Sequence, residues 1–309
     1  EIRADFYEPT IGALEYEGNL YGIPLEYNIE NGAMLVNKKL LDENGLTLPE
    51  TWDELVADAK KASVIEGGMF VTKGFDFVNW DSVMYLLLSM ILSEGGQYLE
   101  ADGTVNFDTP EAKTAFEELH RLVVEEQVTD LEGLTSTGSE MEGYQQLFAG
   151  TNMIVPRGPW TIAEGLQTFE LVLDEDFCYA SMPWYGKNPA FAAETGWSVA
   201  VNANSRNLEA AFRFLNYFYS DEMLLKHDLN CTLIPPKKSL AQSEDLLEKM
   251  PYVKPLVSIL DKGQFIGRFN TDQFKESINN AFVDYCSGVY GDAGEALAAA
   301  QEAINASVQ

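Results

Sequence analysis

Apolar positions recur every three or four residues in several stretches of the chain, and most of these stretches open on a helix-start signal. Pro49 closes a loop, Thr51 offers an N-cap and Glu54 stands three residues later as its capping-box partner, with Leu55, Ala59 and Ala62 following on one face. Thr109-Pro110 marks a second start, since proline suits the first helical position, and Ala112, Ala115, Phe116, Leu119, Leu122 and Val123 form its stripe. Asn207 opens a third helix with Leu208, Ala211, Phe212, Leu215 and Phe218 expected inward, and Ser220 is expected to cap the next. Thr271 is read as the start of a helix carrying Phe274, Ile278, Phe282 and Tyr285, and Asp292 with Glu295 begins an Ala-rich helix running toward Ile304. Residues 83–92 are apolar apart from Ser89 but fall well short of the roughly 20 residues that span a bilayer, which predicts a buried helix.

Short strands are expected at residues 20–25, 34–37, 153–155, 177–182 and 197–201. Residues 99–107 read as a hairpin turning at Asp102-Gly103 in a type I′ turn, and their oxygen-rich loop lacks calcium-loop spacing. Helices alternate with and outnumber the strands, the pattern of α/β lobes with mainly parallel sheets, and no solenoid period is present.

With 309 residues the chain can form two lobes. The 49 acidic against 20 basic side chains give a charge of −29, a potential that repels phosphate backbones and anionic lipid and opposes nucleic-acid binding. Cys178, Cys231 and Cys286 have neither disulfide-framework nor zinc-knuckle spacing and read as small core residues, with one disulfide plus one free thiol as the alternative. His120 and His227 are the only histidines, each beside charged residues in a predicted helix, so a histidine metal site or catalytic triad has almost no material. Nucleophile-elbow, phosphate-loop and dinucleotide motifs are absent. Carboxylates are so abundant that a glycosidase-like pair stays open as a competing reading.

Three segments in fixed order, Tyr21-Gly22-Ile23-Pro24, Thr51-Trp52-Asp53-Glu54-Leu55 and Phe148-Ala149-Gly150 with Met153 and Gly158-Pro159-Trp160, resemble the maltose-binding-protein-like solute-binding family of ATP-binding-cassette sugar importers. Asn44-Gly45-Leu46, leading into Pro49 and the capped helix, and the strand ending Val36-Asn37-Lys38 belong to the same resemblance, with Val36 where the family commonly has Tyr. The resemblance implies a two-lobed α/β periplasmic-binding-protein fold of type II. Residues 1–25 and 198–245 would form lobe one and residues 26–197 and 246–309 lobe two. It further implies that lobe one is incomplete, because family members carry strand-helix units ahead of the Tyr-Gly-x-Pro segment.

By the same resemblance Glu26 takes the place of a hinge-side carboxylate that accepts sugar hydroxyls, against an exposed loop Glu. Trp160 falls on the element whose indole stacks on a pyranose, against a structural Trp. Asn79 and Trp80 stand where a variable ligand-contacting aromatic lies, against a helix-start packing role; Gly196 and Trp197 stand at the second hinge crossing; Arg268 lies in a loop that reaches the cleft, against a surface Arg. Trp184 and Tyr185 are further cleft candidates, with core packing as the competing account. The implied function is extracytoplasmic capture of a mono- or oligosaccharide by a monomer, periplasmic or lipid-anchored, and delivery to a permease, with no enzyme activity, cofactor or metal. A carbohydrate-cleaving enzyme and a peptide- or polyamine-binding protein are the alternatives.

Overall fold

The computed structural model describes residues 2–136, 141–268 and 272–307. Its strands are β1 (Glu15–Tyr16), β2 (Asn19–Leu20), β3 (Ile23–Pro24), β4 (Ala33–Asn37), β5 (Val64–Glu66), β6 (Met69–Phe75), β7 (Asn152–Pro156), β8 (Phe177–Ser181), β9 (Phe191–Ala193), β10 (Ser198–Val199) and β11 (Gly263–Phe265). The helices are α1 (Glu8–Gly12), α2 (Lys38–Glu43), α3 (Trp52–Ala62), α4 (Ser82–Ser93), α5 (Pro110–Val124), α6 (Glu132–Thr135), α7 (Gly143–Ala149), α8 (Ile162–Gln167), α9 (Leu208–Phe218), α10 (Asp221–Cys231), α11 (Lys238–Ala241), α12 (Glu244–Lys249), α13 (Asp272–Cys286) and α14 (Ala293–Ser307).

The main sheet has the order β5-β6-β7-β4-β8 and corrects the expectation of mainly parallel pairing, for only β6 and β7 run parallel. Part of the reason is local: Gly67-Gly68, with φ of +59° and +83°, closes a tight hairpin that forces β5 and β6 antiparallel. Every residue of β4 is buried, and its alternation divides two cores. Met34 and Val36 pack with α3, α4 and α5, while Ala33 and Leu35 pack with Leu147, Ile162, Val253 and Leu256 on the other face.

The helix starts behave as their chemistry dictates where a cap forms. Thr51 accepts from the Glu54 amide while the Glu54 carboxylate takes the Thr51 N–H, and Thr109 caps α5. Ser220 instead donates to the Tyr217 carbonyl, so α10 begins without a side-chain cap. Thr271 lies outside the described residues. The 99–107 stretch pairs Leu99 with Val105, but only Gly103 has positive φ, so the turn is not type I′; Asp102 Oδ1 accepts from the Thr104 amide and hydroxyl instead.

Residues 83–92 lie within the fully buried α4. Among the described residues no helix is long and apolar enough to cross a membrane. Residues 20–25 divide into β2 and β3, and the strand expected at 197–201 is reduced to β10. The α9 expectation fails most plainly: of the five residues read as inward only Leu215 is buried, and Leu208 and Phe212 are exposed beside Phe214 and Tyr217. Amphipathic spacing marks which face is apolar; it does not supply the surface that covers it. Cys178 is buried as expected, but Cys286 is only half-buried and Cys231 is exposed. All three thiols are free.

Candidate functional site

Two passages of chain run side by side between the small β3/β10 ribbon and the main sheet. Pro24 pairs with Ser198 and Ile23 with Val199, the Leu25 amide donates to the Trp197 carbonyl at 2.9 Å, and Asn28 and Glu194 exchange backbone bonds at 2.9 and 3.3 Å. Glu26 lies between these pairings and is 3% exposed. Its carboxyl fills the space over Gly196, where a Cβ would stand 2.3 Å from Oε1. Burial pushes this carboxyl up to about 8, and the neighbouring Glu30, Asp228 and Glu194 add to the shift against a hydrogen bond from the Trp197 backbone. Asp228 is buried as well and is pushed up to about 7, with His227 at 3.1 Å opposing; its Oδ2 has no hydrogen-bond partner.

Trp160 is the aromatic part of this network. Its indole N–H donates to Glu30 Oε1 at 3.0 Å, and the Gly158 amide donates to Oε2 of the same carboxylate at 2.9 Å. The indole folds back so closely that a Cβ at Gly158 would lie 2.7 Å from its Cδ1, which is why glycine is needed there. Tyr144 meets the ring edge-on at 5.4 Å, the Arg157 guanidinium stands 5.4 Å from its centre, and Thr232, closing α10 with a left-handed φ of +56°, donates to the Pro159 carbonyl at 3.0 Å. The Tyr85 hydroxyl donates to Glu194, which ties the second of these two passages to α4.

Glu30, which holds the Trp160 N–H, is also one of the carboxylates whose charge raises Glu26, and Gly196 lies directly against Glu26. Trp197 joins by its backbone, while its indole is 72% exposed. Trp80 is 44% exposed and lines a cavity of about 490 Å³ with Asn79, Asp81, Glu142 and Arg157. Asn79 also braces the entry to α4, its Oδ1 accepting from the Asp81 and Ser82 amides at 3.1 and 2.9 Å. Arg268 is placed apart: it donates to the Glu15 carbonyl at 2.5 Å and borders a different cavity of about 630 Å³ with Leu99 and Phe265. Trp184 and Tyr185 are packing residues, against Phe191 at 6.3 Å and Trp52 at 5.3 Å. Sequence reasoning passed over Glu30, Arg157, Asp81, Glu194 and Asp228. Arg157, adjoining Gly158-Pro159-Trp160, and Asp81, adjoining Asn79-Trp80, offered a positional signal.

The arrangement can accept hydroxyl or ammonium donors at the buried carboxyls and stack a flat face on an indole. Among the described residues no three His, Cys, Asp or Glu side chains are grouped to hold a metal ion.

Residues 3–224 match the family model described as bacterial extracellular solute-binding protein. The chain belongs to that family. A Brucella abortus protein named only as a binding protein is 27% identical over 249 residues, 79% of this chain and 57% of the relative. A Deinococcus radiodurans protein, named "Probable ABC transporter-binding protein", is 24% identical over 268 residues, 84% of this chain and 61% of its own. The chain thus spans about three fifths of the length of these relatives. The maltose-bound T. maritima MalE3 structure superposes with a TM-score of 0.76 at 22% identity, covering 98% of this chain and 76% of that one. At that identity the likeness shows the fold, which is the two-lobed α/β class expected from the sequence.

Proposed function

We propose that the chain captures a mono- or oligosaccharide between two lobes, outside the cytoplasm, and hands it to a membrane permease without chemical conversion. Residues 1–25 and 198–245 form lobe one and residues 26–197 and 246–309 lobe two, with Glu26 and Gly196 at the crossings. The reading is carried by the Trp160 indole held on the buried Glu30 carboxylate, a rigid aromatic face beside a set of acceptors, which is the complement of a sugar with an apolar C–H face and a polar rim. Family membership and the maltose bound by the T. maritima neighbour support it.

Calorimetric titration with maltose, maltotriose and mannobiose tests it. Binding by the wild type and its loss in Trp160→Ala is expected; binding unchanged in that variant would overturn the role of the platform.

A cationic solute is the second reading. Four carboxyl groups, Glu26, Glu30, Glu194 and Asp228, gather at the crossings, and an ammonium group would neutralise them. Titration with spermidine alongside the sugars separates the two.

A further inference from the structure

Arg157 is 4% exposed and meets carboxylates from three elements: Glu142 ahead of α7 at 2.7 Å, Asp81 at the head of α4 at 3.3 Å, and Glu30 before β4 at 3.9 Å. Its guanidinium carbon stands 5.4 Å from the Trp160 ring centre and 5.8 Å from that of Tyr144. Glu30 in turn holds the Trp160 N–H. Asp81 directly follows Trp80 and is held a second time by Lys275 of α13 at 2.7 Å, while Asn279 donates to the Trp80 carbonyl at 3.0 Å.

One guanidinium thus reaches the Trp160 platform through its own face and through Glu30, and reaches Trp80 through Asp81. A planar fork can serve several carboxylates while lying beside an aromatic ring; a lysine ammonium, a single point of charge, cannot do both.

We propose that Arg157 is the positioning residue that fixes the Trp80 and Trp160 indoles relative to each other, and so sets the shape of solute the cleft accepts. The second half rests on the capture reading above. The first half does not, because it concerns the unliganded protein.

The test is fluorine NMR of the full chain grown with 5-fluorotryptophan, its resonances assigned by single Trp→Phe variants. Arg157→Lys is expected to shift the Trp80 and Trp160 resonances and leave those of Trp52, Trp184 and Trp197 in place. Should Arg157→Lys fail to fold, two milder variants keep the question open to refutation: Asp81→Asn is expected to move Trp80 alone, and Glu30→Gln to move Trp160 alone. Unmoved Trp80 and Trp160 resonances, or equal movement of all five, would overturn the assignment, the latter pointing to general loosening. With maltotriose as probe, Arg157→Lys is expected to weaken binding by about tenfold or more, and the coupling between Trp80→Ala and Trp160→Ala is expected to vanish in its background. Coupling that survives overturns the specificity role. A wild type that binds no maltotriose overturns the sugar reading, and the fluorine spectra still decide the positioning.

Discussion

The side chain of Glu26 occupies the space that a Cβ at position 196 would need, with only 2.3 Å between that Cβ and Oε1. Since the carboxyl is buried, it has little room to retreat. Gly196→Ala is expected to displace it and to destabilise the chain by about 1–3 kcal/mol, the usual cost of overpacking. Urea unfolding and sugar titration of the variant measure the two effects, and an unchanged midpoint would show that the carboxyl moves freely.

The acidity of Glu26 and Asp228 has a sign that can be checked by melting. Glu26 rises from 4.5 to about 8 and Asp228 from 3.8 to about 7 on folding. The folded state therefore holds protons that the unfolded state has released. Stability is fully present below the unfolded values and is lost as pH rises, over the window from about 4 to about 8. Thermal melts should fall across that window, and Glu26→Gln should flatten the fall; a Tm that climbs from pH 5 to 8 with the same slope in both proteins would refute this.

The capping box at Thr51 is a local device with a local cost. Thr51→Ala removes the acceptor for the Glu54 amide, found at 3.2 Å. A loss of about 1 kcal/mol in denaturant unfolding is expected, with ligand binding unaffected because Trp52, next to Thr51, belongs to one core while Trp160 packs against the other.

On α9, Phe212, Phe214 and Tyr217 face solvent. Changing Phe214 to Ser should alter unfolding stability by no more than about 0.5 kcal/mol and should reduce binding of an apolar dye such as ANS. A loss several times larger would mean that the face is packed in solution.

How far the sequence could be read depended on the range of the physics involved. Capping and proline signals at Thr51 and Thr109 depend on three or four neighbouring residues, and they place α3 and α5 correctly. Strand direction depends on partners far along the chain. The parallel expectation failed for β4, which pairs with β7 and β8 more than a hundred residues away. At the candidate site, Glu26 and Trp160 could be singled out because each stands in a distinctive segment. Glu30, Glu194 and Asp228 could not, since one carboxylate among 49 acidic residues carries no mark until folding buries it. Arg268 looked like a cleft residue by its loop, but its guanidinium is taken by the Glu15 carbonyl.

The two chain passages at Glu26 and Gly196 run side by side. In any swing of one proposed lobe about such a ribbon, atoms travel in proportion to their lever arm, so Glu26 barely moves while outlying groups sweep the widest arc. A solute seated first against that fulcrum would keep its footing throughout the swing, and the distant rim would arrive last.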